Sequence, residues 1–413
     1  MTAAGGITIP KNFSGIRIAM GTDAPIRIIM AGGGTGGHLY PGLAVAAQLR
    51  RRLGDNLQLI WAATGRTIDR RLLSGFGPDY IEQPVRPLSR APWHWPAFYR
   101  AWRRSCAFWR GYYQSHSVHA VLALGGYAAG PAAWVAAQMS IPMGLLNPDA
   151  RPGRANRFLM HGAGRVFTQW PLPQRVGFFV RPSGKESVVG CPIRADLIGV
   201  PRKQAISRLG LDPERRTLVV TGASLGARTI NEAMKVLMRD EQFLGALAGR
   251  QTDSTGWQVL HLAGSEQAQD LRAAAGQLKK IPWLVLDYCD DMGAAWAAAD
   301  LALARAGAGT CAELTACGVP AVLLPYPFHK DNHQRANARQ LCSSGAAVLA
   351  RDQVDPKRNA YELKNMILNL LGDESRRRAM ALAARSMGKP DAAACVADWL
   401  LAQARAGRMG SCR

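Results

Sequence analysis

The 413-residue sequence predicts an α/β fold built from two doubly wound domains that face each other across a cleft. Three observations lead there. A short apolar run, Ile26 to Gly32, ends in a glycine-rich loop and passes into a run of helical period from Leu39 to Leu49. The same strand, loop and helix device restarts at Thr217. A chain of this length is long for one domain and comfortable for two. Doubly wound sheets bind ligands outside the carboxyl ends of their strands. Two facing domains therefore place those ends on opposite walls of one cleft.

The elements follow in order. Residues 1–24 lack the apolar core of a signal peptide and read as a loose extension, with Met20 an alternative start. After the first strand and helix, apolar runs at 57–62, 119–124 and 141–146 read as strands, each followed by turn residues and a helical stretch. The cluster of Pro, Arg and Gly from Pro192 to Pro201 marks the joint. The second array opens with a strand at 217–221, a small-residue loop from Gly222 to Ala227 and a helix from Thr229 to Met238. Further strands are predicted near 257–262, 283–287, 300–304 and 320–324. The predicted domains are 25–192 and 193–385, with a closing helix within 386–413 that can pack back on the first domain.

Composition is that of a globular protein, at 48% hydrophobic and 19% charged residues. The formal charge of +22 requires an anionic partner: nucleic acid, anionic lipid or phosphate-bearing substrates. No nucleic-acid recognition motif accompanies it. Eight scattered cysteines without a CxxC pair read as free thiols, and neither a disulfide framework nor a zinc site follows from their spacing. No apolar run is long enough to span a bilayer. One segment stands apart: Trp95, Phe98, Tyr99, Trp102, Trp109 and Tyr113 recur at helical spacing on one face, flanked by Arg100, Arg103, Arg104 and Arg110. Such a helix can lie in the surface of an anionic membrane. It can equally pack on its own domain with a solvated basic side.

Three loops carry the chemistry. Gly32 to His38 joins a strand to a helix, where close backbone approach and free N–H groups favour a phosphate. It is no Walker loop, since no Gly-Lys-Ser/Thr follows. No clear acid about 20 residues on ends the next strand, which counts against a nicotinamide cofactor. His38, at the mouth of the loop, is either a structural histidine or a general base. Gly222 to Ala227, including Ser224, repeats the device in the second half. The third loop, Arg305 to Thr310, leads to a helix holding Glu313. There Thr310 can cap the helix. Glu313, read as lying on the first turn, either complements the helix dipole or binds vicinal ribose hydroxyls. A polar cluster, His329 to Gln334, follows the strand at 320–324.

Taken together these segments resemble the MurG family of glycosyltransferases, glycosyltransferase family 28. The segments that carry the likeness are Gly33-Gly34-Thr35-Gly36-Gly37-His38 with Pro41, Leu43 and Ala44; Gly125-Gly126-Tyr127 with Gly130-Pro131; Gly190 to Arg194; Gly222 to Ala227; Arg305 to Glu313; and His329-Lys330-Asp331 with Gln334 and Asn337. They run in order over residues 26 to 350. The resemblance implies a GT-B fold of two Rossmann-like domains. It also implies an inverting transfer of N-acetylglucosamine from its UDP carrier to a polyprenyl-diphosphate muramyl-pentapeptide, lipid I, to form lipid II. No bound metal or other cofactor is implied, and the enzyme would sit peripherally on the cytoplasmic face of the membrane. By resemblance, Arg194, Ser224, Thr310 and Glu313 hold the nucleotide, with Ala308 and Gly309 at the diphosphate and the Cys289 backbone at the uracil. Thr35, Gly36 and Gly37 line the meeting point of the substrates, and His38 becomes the base. Gly33, Gly34, Gly125, Gly126 and Tyr127 form the acceptor side. Asp149 and His333 fall where the family contacts the donor sugar, and Gln334 beside His333 belongs to the donor-binding side. Here the chain departs from the family: Leu146-Asn147-Pro148-Asp149 replaces His-Glu-Gln-Asn, His333-Gln334 replaces Gln-Gln, and Leu225 replaces a Gln. Two alternatives stay open on the residues: a related transferase with another sugar or acceptor, and a silent nucleotide-binding homologue.

Overall fold

The structure is a computed structural model that describes residues 25–411, apart from Arg90, 177–178, 181–183, 223–225, 250–255, 279–280 and 329–330. The extension 1–24 therefore lies outside the described residues.

The first half forms a parallel sheet of seven strands: β1 Ile26–Gly32, β2 Leu57–Ala63, β3 Tyr80–Glu82, β4 Ala120–Gly125, β5 Met143–Asn147, β6 Arg165–Thr168 and β7 Glu186–Val188. Their order is β3-β2-β1-β4-β5-β6-β7. The second half forms a six-stranded parallel sheet: β8 Arg216–Thr221, β9 Trp257–Leu262, β10 Trp283–Leu286, β11 Leu301–Ala304, β12 Ala321–Leu323 and β13 Ala347–Leu349. Its order is β10-β9-β8-β11-β12-β13, so both halves reverse direction beside their first strand. That switch point is where a doubly wound sheet opens a crevice. The two expected arrays are present, with more strands than the sequence pattern announced. β3 and β7 are three residues long and each carries a glutamate, and β6 starts on Arg165, so none makes an apolar run.

The helices that matter for the site are α1 Gly36–Leu53, α2 Thr67–Leu73, α3 Trp95–Ser115, α4 Arg154–Met160, α5 Arg228–Leu237, α6 Ala308–Cys317, α7 His333–Ser343, α8 Pro356–Gly372 and α9 Ala392–Ser411. Central strands are buried on both faces, as parallel strands under helices must be. In β1, Ile28 and Met30 pack to one side and Ile29 and Ala31 to the other. Helix α9 returns from the end of the chain to α1. Val396, Ala397, Leu400 and Ala404 join the core of the first half, and Trp399 sets its edge on Phe167.

The aromatic stripe of α3 divides, contrary to the single face read from its spacing. Trp109 and Tyr113 are core residues: the Trp109 indole donates to Gln83 Oε1 (2.7 Å) and the Tyr113 hydroxyl to the Ala132 carbonyl (2.9 Å). Trp102 is half-buried, packed on Gly130. Trp95 and Tyr99 instead are 51% and 59% exposed. The C-terminal half of the helix lies on the sheet layer; the N-terminal half leaves that support.

Two buried polar devices stabilise the second half. The Arg305 guanidinium pairs with Asp352 Oδ2 (2.8 Å), and donates to the Leu324 carbonyl (2.8 Å) and to Thr229 Oγ1 (2.7 Å). It thereby ties the loop after β11 to α5 and to the residues that lead into α8. Burial alone lowers the arginine's affinity for its proton, and the Asp352 carboxylate opposes that. The second device is His261, whose ring is stacked on Trp283. Its Nε2 bonds Asn231 Oδ1 (2.9 Å), while the Asn231 amide nitrogen donates elsewhere, so the network makes Nε2 the protonated nitrogen. Nδ1 has no partner among the described residues.

Burial pushes the His261 imidazole down to about 3. A free histidine titrates near 6.5, so the unfolded chain takes up a proton first as pH falls. Stability contributed by this site is complete above pH ~6.5 and declines below it, by about 2 kcal/mol at pH 5. The difference in unfolding free energy between wild type and His261→Gln should therefore narrow by that amount between pH 7 and pH 5. A difference that stays constant would show that His261 accepts a proton in the folded core.

Candidate active site

The loop after β1 is held from behind by a carboxylate. Asp69, on α2 and fully buried, accepts from the Gly34 N–H (2.7 Å) and the Thr64 N–H (2.9 Å), and takes the Thr64 hydroxyl as well. Arg66 donates to the Gly34 carbonyl (3.1 Å) and lies over the Tyr127 ring. The β1 to β4 register shifts between Ala31 and Gly32, and Gly32 adopts φ +150° where a Cβ would stand 2.7 Å from Leu124 Cβ. Only glycine passes there. The sequence reading missed Asp69 as a site residue. No local pattern marks it, because it stands 35 residues beyond Gly34, after the second strand.

His38 is the third residue of α1. The Thr35 hydroxyl does not cap the helix and instead meets His38 Nδ1 (3.0 Å). The imidazole lies on the backbone of Gly125 and Gly126, the turn after β4: a Cβ on Gly126, whose φ is +73°, would stand 3.0 Å from His38 Cε1. Gly33, Gly34, Thr35, Gly36, Gly37, His38, Gly125, Gly126 and Tyr127 thus belong to one surface at the first switch point. Burial pushes the His38 proton affinity down. Asp149 opposes this most strongly, followed by a backbone hydrogen bond to Gly33 and by Asp69, while His333 adds to the lowering.

The opposite wall comes from the second switch point. Helix α6 starts after Gly307 with no side-chain cap, which corrects the expected cap by Thr310: Thr310 is the third helical residue. The amides of Ala308, Gly309 and Thr310 lack intrahelical partners by their position. Glu313 lies in the second turn, not the first, so it does not complement the helix N-terminus. Burial pushes its carboxyl up, while the Trp296 indole, donating to Oε2 (2.9 Å), and the Arg194 guanidinium pull it down. Arg194 also reaches the Asp290 carbonyl (3.2 Å), beside the buried Cys289. Arg194, Cys289 and Glu313 therefore form one corner next to the α6 N-terminus. Ser224, along with His329 and Lys330, lies outside the described residues.

The two walls touch at several points. Asn337, on α7 and fully buried, accepts from the Ala150 N–H (2.9 Å) and donates to Asp149 Oδ1 (2.9 Å) and to the Ala306 carbonyl (3.1 Å). His333 Nδ1 meets the Arg151 carbonyl (3.1 Å). Gln169, just past β6, donates to the Ala308 and Pro148 carbonyls and accepts from the Ala312 N–H, in the amide orientation its neighbours require. Tyr40 and Tyr288 share a hydroxyl contact of 3.0 Å. Of the residues expected on the donor side, Asp149 and His333 lie at this junction near His38. Gln334 instead accepts from the Tyr326 N–H (2.9 Å) within its own half. Gln169, Tyr40 and Tyr288 carried no signal in the sequence, because each acts through a partner more than a hundred residues away.

The comparisons with known proteins agree with this architecture. The glycosyltransferase family 28 N-terminal domain matches residues 28–168 and the family's C-terminal domain residues 217–396. A UDP-N-acetylglucosamine–N-acetylmuramyl-(pentapeptide) pyrophosphoryl-undecaprenol N-acetylglucosamine transferase from Alkalilimnicola ehrlichii is 37% identical over 384 residues, 92% of this chain and 99% of that relative. One of the same name from Desulfitobacterium hafniense is 34% identical over 369 residues, 89% and 96% of the two chains. The crystal structure of MurG from Acinetobacter baumannii superposes with a TM-score of 0.69 at 26% identity, covering 91% of this chain and 99% of the other.

The packing around Asp69 yields a test. A Cβ on Gly33 would stand 2.5 Å from Asp69 Oδ2. Gly33→Ala should displace the carboxylate from its donors and cost about 2–3 kcal/mol. The cost is read as a lower denaturant midpoint at unchanged slope. An unchanged midpoint would mean that the loop is not clamped by Asp69.

Proposed function

The chain belongs to glycosyltransferase family 28, and we propose that it carries out the reaction named by its relatives, with the residue roles that follow. It is a UDP-N-acetylglucosamine-dependent transferase that adds N-acetylglucosamine to lipid I, the undecaprenyl-diphosphate muramyl-pentapeptide, and so forms lipid II. The observation that carries this is the match of both halves, in order, to relatives over nearly their whole length.

In our reading the donor lies against the second wall. Glu313 takes the ribose hydroxyls with Arg194 beside it, the uracil runs along the backbone at Cys289, and Ser224 contributes to the nucleotide. The diphosphate faces the α6 N-terminus, where the amides of Ala308, Gly309 and Thr310 and the helix dipole stabilise negative charge. UDP then departs without a resident metal. The acceptor hydroxyl enters over Gly33, Gly34 and the Gly125-Gly126-Tyr127 turn. His38, kept largely neutral by burial, removes its proton. The oxygen attacks the anomeric carbon from the side opposite UDP, and the configuration inverts.

The same reading assigns the membrane-facing surface. Leu88, Trp95 and Tyr99 are exposed around a groove of about 510 Å³ that also includes Pro92, Pro96 and Phe98, and the neighbouring Trp93 is exposed as well. Arg86, Arg100, Arg103 and Arg104 are exposed beside it. Apolar aromatics rimmed by arginine suit a peripheral contact with anionic lipid. Among the described residues no helix is long and apolar enough to cross a membrane.

Two experiments test these assignments. With UDP-N-acetylglucosamine and a lipid I analogue, His38→Ala should lower kcat by about 10²–10⁴-fold with donor affinity little changed; a full rate would remove His38 from the mechanism. Binding to vesicles containing anionic lipid should be salt-sensitive and should fall in the Trp95→Ser/Tyr99→Ser double variant. Binding indifferent to salt and to both substitutions would reject the assigned surface.

A further inference from the structure

A chain of buried amides holds the turn that carries Asp149 next to the turn on which His38 lies. Strands β4 and β5 are parallel neighbours, so their carboxyl-terminal turns emerge side by side, roughly 5 Å apart. The His38 ring lies on the first of these turns, Gly125-Gly126. Asn156, on α4, reaches Gly125 and donates to the Leu146 carbonyl (3.2 Å) and Asn147 Oδ1 (3.0 Å). Asn147 Nδ2 in turn donates to the Asp149 carbonyl (2.9 Å). From the facing wall, Asn337 holds Asp149 Oδ1 and the Ala150 N–H, both at 2.9 Å. Asn147, Asn156 and Asn337 are all buried, so the backbone of the Asp149 turn is held from the first half and its carboxylate from the facing wall.

Among the described residues, the charged and titratable groups with the largest effect on the imidazole are Asp149 from the β5 turn, Asp69 from α2 and His333 from α7. Asp69 is engaged behind the loop by Gly34 and Thr64. Of the two carboxylates, Asp149 exerts the larger pull on His38.

We propose that Asp149 is a positioning residue for the transfer, its carboxylate stabilising the imidazolium that His38 becomes when it takes the acceptor proton. The inference rests on His38 being the base. As the acceptor oxygen bonds to the anomeric carbon, the bond from that carbon to the diphosphate oxygen breaks and UDP leaves with the electron pair. The acceptor's proton passes to His38. A cation formed in a half-buried cleft is disfavoured by desolvation, and a fixed carboxylate beside it offsets that. Since Asn337 belongs to the second half, Asp149 is held in this way only while the two walls are joined.

The test is the pH profile of kcat/KM for transfer from UDP-N-acetylglucosamine to a lipid I analogue, whose acid limb reports the base in the free enzyme. Asp149→Asn keeps the shape and removes the charge. Its limb should move to lower pH by about one unit, and the plateau of kcat should fall about tenfold, as a weaker base gives a slower transfer. A limb that stays in place, whether kcat falls or the KM for the donor rises, would leave Asp149 a donor or structural contact and overturn the proposal. His38→Ala separates the two readings. Loss of the limb in that variant, with an unmoved limb in Asp149→Asn, defeats only the Asp149 role. Survival of both limb and rate in His38→Ala defeats the base assignment and the proposal with it.

Discussion

One buried side chain amide joins the two walls of the cleft. Asn337 spends its oxygen on the Ala150 N–H and its nitrogen on Asp149 and the Ala306 carbonyl, and no water replaces these bonds because the group is fully buried. A buried amide that loses its partners is costly. The arrangement therefore favours a definite distance between the turn after β5 and the loop after β11. Gln169 acts in the same sense, since it inserts its amide between Ala308 and Ala312 at the first turn of α6. The helix start that we assign to the diphosphate is thus braced by a residue of the first half. Everything proposed for the reaction depends on this registration, because His38 belongs to one sheet and Glu313 to the other.

Each wall is also rigid in itself, by different means. The first relies on a buried carboxylate, Asp69, that gathers backbone and hydroxyl donors behind the Gly33-Gly34 turn. The second relies on the Arg305–Asp352 pair, whose charges are compensated by Thr229, Asn359 and the Leu324 carbonyl. Removing either partner of such a pair leaves an uncompensated buried charge. Arg305 opens the motif Arg305 to Glu313, yet its contacts make it the support of that loop, while Glu313 bonds the Trp296 indole with Arg194 acting on it. Motif membership and chemical role are separable here.

Much of the site was legible along the chain. The glycine loops were visible because each falls between a strand of continuous apolar residues and a helix, and their glycines permit positions closed to a side chain, such as Gly32. The two arrays were legible for the same reason: central parallel strands must be apolar on both faces. The short edge strands β3 and β7 were not, since a three-residue strand containing a glutamate has no periodicity to read. Thr310 and Glu313 were placed one turn out because the helix start was set at Thr310 and is set in fact by Gly307, which needs no side-chain cap. The aromatic stripe of α3 was read as one surface. Spacing reports which residues share a face of a helix, but not where along its length the supporting sheet ends.

The sequence by itself determined the fold class, the family and the position of the glycine loops at the strand ends, because these rest on local order: strand, glycine turn, helix, and motifs in a set succession. The tertiary structure alone decided which residues meet. The grip of Asp69 on Gly34, the clasp of Asn337 on Asp149 and Ala150, the contact of Tyr40 with Tyr288 and the return of α9 to α1 all join residues far apart in the chain. Such pairings follow from how parallel strands stack their carboxyl ends and how two sheets face one another, and no local pattern encodes them.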